Sequence, residues 1–460
     1  MEKTFLLQKD SSKTYCKKTQ GITLIALVVT IVVLLILASV TISTIFSDNG
    51  IIKKAQEAAN KTKEAVEQEQ AELNQLYNEL ASIMNNTTGG STEEPEPEPE
   101  PELPSDGSFS EDKGVNTPNL GEGMTPIKWN GSSWVETTGS DSDWYDYSAK
   151  KWANAKTEDG SMWVWIPRYA YSIPSAGYHK STATEISIEF MKNTSNEASE
   201  GRTTFQNASG QGNWNIHPAF NYGEPVSGLW VAKFEASNSN GKIMVQPGVS
   251  SWRSITVDSI YTNCLNYNKT LNSHMMKNDE WGAVAYLSRS KYGKNDEVTI
   301  NSNSSYYTGG GSGNAYATTN TAQSTTGNVY GVYDMSGGAW EYVAAYVNNG
   351  NGNLTNYGSS LVNGDPKTKN VYTKASTDSY ENNYQQNKGV YGDAVYETST
   401  SGSGTTSWYG DYSNFPFTSY PFFYRGGSCN SGSSAGVFYF YYGNGNGHSS
   451  RSFRPVLVAN

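Results

Sequence analysis

Hydropathy along the chain falls into contrasting zones. Between Ile22 and Phe46 (ITLIALVVTIVVLLILASVTISTIF) 25 residues pass without a charge. At about 1.5 Å rise per residue such a run makes a helix of roughly 37 Å, long enough to cross a hydrocarbon core. Ser47 to Gly50 (SDNG) interrupts it. From Ile51 to about Asn85 apolar residues recur at spacings of three and four: Ile52, Ala55, Ala59, Val66, Leu73, Leu76, Leu80 and Ile83 hold the seam, which Thr62 and Glu69 break. That pattern predicts a stalk helix over 47–88. The segment 89–106 then carries an alternating run of Pro and Glu over 94–102. Such a segment can neither continue a helix nor feed a strand ladder, and like charges extend it, so it predicts a spacer of about 3 Å per residue.

Beyond Gly107 the pattern shortens to apolar and aromatic runs divided by Gly, Asn, Ser and Thr clusters. One stretch, 278–293, keeps a helical period, with Trp281, Val284, Ala285, Leu287 and Ser288 on one face and Asn278 or Asp279 placed to cap it. All 12 tryptophans fall in this part, enough for a sizeable core. The fold class expected for the whole chain is α+β, with a long N-terminal membrane and stalk helix, a Pro-Glu linker and an irregular, loop-rich head.

Charge and composition narrow the function. A net charge of -11, with no basic stripe after residue 18, excludes nucleic acid as a partner. Lys3, Lys9, Lys13, Lys17 and Lys18 outnumber Glu2 and Asp10, so the positive-inside bias keeps the N-terminus cytoplasmic and sends the rest outward. Cys264 and Cys429 are too few for a disulfide framework; they can pair or stand as independent thiols. An ordinary secretory signal carries its small residue after the apolar run, whereas here Gly21 precedes it. KKTQGITLIALVVTIVVLLIL resembles the leader of type IV pilins and pseudopilins, over about 55 residues. The resemblance implies cleavage by a prepilin peptidase between Gly21 and Ile22, a leader of 1–21, a membrane segment of 22–46, and other pilin subunits as partners. The family's glutamate at the fifth mature position is Ala26 here. That difference fits a tip subunit or a plain membrane anchor.

The distal motifs come in a telling order: SMWVWIPRYAY (161–171), HPAFNYGEPVSGLWVAKFEAS (217–237), the helix at 278–293, NVYGVYDMSGGAWEYVAAY (328–346), YRGGSCNSGSSAGVF (424–438) and SFRPVLVAN (452–460). Together they resemble the formylglycine-generating-enzyme-like branch of the C-type lectin fold, across 160–460, with 107–159 as an N-terminal embellishment. In YDMSGGAWEY two carboxylates bracket a Gly-Gly turn, an arrangement able to surround a hard cation or to cap loops. The resemblance implies a structural Ca²⁺ held by the side chains of Asp334 and Glu341 and the carbonyls of Gly337 and Ala339, with Trp340 in the core. It also implies no oxidase: the catalytic branch needs cysteines three and eight residues past the RGGS serine, and Ser431 and Gly436 stand there. The four histidines show no HxH or HExxH spacing, so no zinc hydrolase chemistry is read. The chain is expected not to be an enzyme.

The remaining signal is CNSGSSAGVFYFYYGNGNGHSSRS (429–452), where Tyr, Ser, Gly and Asn dominate, the composition of adaptable binding loops. It also resembles the variable region of proteins diversified by retroelements, although Gly-rich loops alone produce similar ends. The candidate contact residues are Cys429, Asn430, Ser431, Ser433, Ser434, Tyr439, Tyr441, Tyr442, Asn444, Asn446, His448, Ser449 and Arg451. The expectation is an adhesin or tip pilin of the cell envelope whose extracellular head binds a protein or glycan. The alternative is a structural minor pilin without a ligand of its own.

Overall fold

A computed structural model of the chain describes residues 105–459, together with Lys61. Two large sheets dominate. The first is antiparallel throughout and runs His274–Met275, Pro455–Leu457, Gly228–Ala232, Met162–Pro167, Asn154–Thr157, Met124–Trp129 and Trp134–Glu136. The second runs Asn370–Thr373, Trp340–Asn348, Phe422–Gly426, Gly436–Gly443, Ser413–Asn414 and Ser403–Gly404, with Arg451–Phe453 paired in parallel to Trp340–Asn348. Met124–Trp129, Trp134–Glu136 and Asn154–Thr157, all from the 107–159 stretch, thus belong to the same sheet as the strands that follow them, while Phe109–Ser110 and Val115–Asn116 pair with each other.

The expected α+β architecture led by a long helix is corrected here. Among the described residues the five α-helices are short, the longest being Gly352–Asn363 with 12 residues, and most regular structure is sheet. No described helix is long and apolar enough to cross a membrane. The physical reason lies in the punctuation: Gly, Asn, Ser and Thr clusters end most apolar runs before a 3.6-residue period builds, while two-residue alternation survives. The segments 22–46 and 47–88, the spacer up to 104, and Gly21 with Ile22 lie outside the described residues.

Aromatic packing holds the sheets. Trp165 and Trp230 face each other across paired strands, their rings 5.3 Å apart. Gly228 is required beside them, since a Cβ there would stand 2.3 Å from the Trp165 ring. The stretch 161–171 forms two strands, Met162–Pro167 and Tyr169–Ser172, broken where Pro167 lacks an N–H for the ladder.

The predicted helix is present as Asn278–Ser288, and it is buried all round rather than on one face. Its cap also differs from the expected Asn278 or Asp279: Lys277 occupies the N-cap, and the Glu280 carboxylate accepts from the Lys277 N–H at 2.8 Å. Trp281 anchors this helix to the second sheet by donating Nε1–H to the Val437 carbonyl at 2.8 Å. The guanidinium groups of Arg425 and Arg454 lie 5.6 and 5.9 Å from its ring. The arginines of YRGG and FRPV are thereby core residues.

Candidate functional site

The second sheet gathers aromatic side chains into a row that crosses its strands. Register builds it: Arg451 lies opposite Trp340, Tyr342 opposite Tyr424, and Tyr424 opposite Tyr441. Strand side chains alternate between faces, so Trp340 and Tyr342 share a face, as do Tyr439 and Tyr441. Tyr412, just before Ser413–Asn414, continues the row with its ring 5.7 Å from Tyr441. The Tyr424 and Tyr441 rings lie 5.3 Å apart at 28°, and those of Tyr439 and Tyr441 6.1 Å apart at 20°. Trp340 donates its indole N–H to the Tyr439 hydroxyl at 3.2 Å. Arg451 donates to the Tyr342 hydroxyl at 2.7 Å and to Asn446 Oδ1 at 3.0 Å, and its guanidinium sits 5.1 Å from the Tyr424 ring.

The row is half sunk. Tyr342, Tyr424 and Tyr439 are buried, whereas Trp340, Tyr412, Tyr441 and Arg451 keep part of their surface in solvent. Burial raises the three sunk phenols above their ordinary value, so they are neutral hydroxyls. At the strand end Tyr442 stacks on Tyr441 at 4.3 Å. Tyr420 and Phe417 pack on Tyr442 at 4.9 and 5.0 Å, and Tyr380 packs on Phe417 at 5.5 Å.

The residues singled out from the sequence divide by depth. Asn430, Ser433, His448 and Ser449 are exposed; Ser431, Ser434, Tyr441, Tyr442, Asn444, Asn446 and Arg451 are half-buried. Cys429 and Tyr439 are buried, and both Cys264 and Cys429 are free thiols. Burial raises the Cys429 thiol. Trp340, expected in the core, stands half-buried in the row. Tyr342, Tyr412 and Tyr424 were not singled out. Two-residue alternation in WEY and FFYRG carries a signal for Tyr342 and Tyr424; Tyr412 comes into place through long-range pairing, its N–H donating to the Ser434 carbonyl and its carbonyl accepting from the Phe440 N–H.

The DMSGGAWEY turn forms a buried acid cluster. Gly337 and Gly338 take φ values of 78° and 69°, and a Cβ on Gly338 would meet the Glu235 carboxylate at 2.5 Å. Asp334 accepts from the Gly309 N–H at 2.8 Å and from Asn301 Nδ2 at 2.9 Å. Both Glu341 oxygens accept from Arg454, the Nε contact measuring 2.8 Å. Glu235 accepts from the Ala339 N–H at 2.8 Å. Burial, with Asp334 and Glu341 next in weight, pushes the Glu235 carboxyl far above its usual range, which makes it the protonated member. Of the expected calcium ligands, Asp334 and Glu341 thus face fixed N–H donors and a guanidinium, and Ala339 turns its N–H toward Glu235. Both carboxylates are therefore already hydrogen-bonded, and among the described residues no group of three or more His, Cys, Asp or Glu side chains is placed to hold a metal ion.

No protein-family model matches this sequence, and no curated protein matches it.

Proposed function

We propose that this chain is a ligand-binding protein of the cell envelope, an adhesin or pilus-tip protein, whose distal domain grips an extracellular partner through the tyrosine row of its second sheet. The observation that carries the reading is the row itself: Trp340, Tyr342, Tyr424, Tyr439, Tyr441, Tyr412 and Arg451 converge from separate strands onto one partly solvent-facing site. Tyrosine and tryptophan supply large, rigid contact area at little cost in side-chain entropy. The Asn and Ser residues beside them supply adaptable hydrogen bonds. The uncharged run 22–46 behind a lysine-rich leader supports retention at the membrane, and the acidic Pro-Glu stretch supports reach. The sequence resemblance to pilins supports assembly with other subunits; that to retroelement-diversified proteins supports recognition by the 429–451 segment. Binding of this kind needs display and geometry, and no bond is made or broken.

The test compares cells displaying the full-length chain with cells displaying a Tyr412→Ala/Tyr441→Ala variant at equal surface abundance. Adhesion to a panel of matrix proteins, polysaccharides and partner cells should fall for the variant. Unchanged adhesion would leave the structural minor pilin as the reading.

A further inference from the structure

We infer that the partner of this surface is a neutral polysaccharide chain, held mainly by hydrogen bonds from the hydroxyls of the half-buried Tyr412, Tyr441 and Tyr442 and from the neighbouring asparagine amides. The inference rests on the reading of the sheet face as a binding surface and adds the chemistry of its ligand.

The first argument is charge. From Ser428 to Ser450 no residue is Asp, Glu, Lys or Arg. Arg451 is the one cation in the row, and its guanidinium is already engaged by the Tyr342 hydroxyl, Asn446 and the Tyr424 ring. A polyanion would need several free cations along its path, and a basic partner would need carboxylates. The row provides neither.

A second argument comes from depth. Strand side chains stand roughly perpendicular to the sheet. Tyr342, Tyr424 and Tyr439 are buried among ring neighbours, so the sides of their rings are consumed by packing. Protein partners are held by protruding anchors that fill pockets on the other side. The half-buried Tyr412, Tyr441 and Tyr442 keep polar surface within reach instead, whereas the buried Tyr342 hydroxyl is already taken by Arg451, the Gly445 N–H and the Asn446 carbonyl. Each phenol both donates and accepts, and each amide does likewise, which matches a ligand built of hydroxyls.

Repetition supplies the third argument. From Tyr424 through Tyr441 and Tyr442 to Tyr420, ring centroids follow at 5.3, 4.3 and 4.9 Å. Tyr420 is 41% exposed, so the series runs from the sheet face onto the open surface. A short, regular repeat of like groups suits a polymer of like units better than a single small molecule.

The experiment uses the full-length chain purified in detergent. Co-sedimentation with cellulose, chitin and immobilised mannan is measured beside alginate and heparin beads. At least one neutral polymer should retain the chain, and the polyanions should not. Tyr441→Phe and Tyr412→Phe remove one hydroxyl each while keeping the ring, and each should weaken retention roughly three- to tenfold, the effect of one hydrogen bond. Retention by polyanions alone, absence of retention by every neutral polymer, or equal retention of both Phe variants would overturn the inference. If those results came with adhesion that still required Tyr412 and Tyr441, only the ligand class would fall. Adhesion indifferent to both residues would remove the surface reading itself.

Discussion

Replacing Arg454 by Met is the sharpest perturbation of the buried acid cluster. Arg454 is 1% exposed and makes two hydrogen bonds to Glu341, one to the Ala232 carbonyl at 2.9 Å and one to the Tyr333 carbonyl at 3.0 Å. Methionine fills much of the volume and supplies none of the four. Removing one partner of a buried pair strands the other charge at a cost of about 3–5 kcal/mol. The carboxylate can escape by taking up a proton. Burial already raises the Glu341 carboxyl from 4.5 to about 7 against the pull of Arg454; without that guanidinium it lies higher still, so the folded variant binds more protons and its stability declines more steeply as pH rises. Urea unfolding followed by tryptophan fluorescence should therefore show Arg454→Met losing about 3–5 kcal/mol at pH 8 and markedly less at pH 5. The double variant Arg454→Met/Glu341→Leu should regain most of the loss, because neither charge remains. A loss below about 1 kcal/mol, or one independent of pH, would refute the assignment of Arg454 as the counter-charge of this cluster.

Other outcomes follow from the same physics. Excess EDTA should leave the unfolding midpoint unchanged, since Arg454 and backbone N–H groups already satisfy Asp334 and Glu341; a clear drop restored by calcium would overturn that account. Glu397 accepts hydrogen bonds from Tyr171, Tyr286 and the Gly392 N–H, and burial pushes its carboxyl from the ordinary 4.5 up to about 7. Its contribution is present below pH 4.5 and lost as pH rises to about 7, worth at most about 3 kcal/mol; Glu397→Gln should flatten the stability profile across that window, and an unaltered slope would contradict it. Gly282→Ala should cost about 1–3 kcal/mol in the same urea assay, because its Cβ would lie 2.0 Å from the Gly392 carbonyl oxygen; wild-type stability would show that the helix can shift away.

What the sequence made legible was local. The helix within 278–293 and the tryptophan-rich core follow from composition and period. DMSGGAWEY, RGGS and SFRPV prove to sit on adjacent strands, with Trp340–Asn348 between Phe422–Gly426 and Arg451–Phe453. What stayed hidden was long-range. The Arg454–Glu341 pair spans 113 positions, and only the fold shows that a guanidinium stands where a cation was expected. Tyr439 and Tyr441 look alike in the sequence; in the fold the Tyr439 hydroxyl lies against the Trp340 indole, while Tyr441 stands nearer the end of the strand Gly436–Gly443. Tyr412 sits among polar neighbours without periodicity, so nothing local marks it. Among the described residues helices are fewer and shorter than expected, because the expectation for the whole chain was set by the periodic segments near the N-terminus.

The central claim is that the half-sunk tyrosine row is the binding surface. Adhesion of cells displaying the full-length chain, with and without Tyr412→Ala and Tyr441→Ala and with surface abundance matched by antibody labelling, tests it most directly. The account predicts that adhesion is lost while display and the unfolding midpoint are retained. Adhesion at the wild-type level in the variant would contradict it.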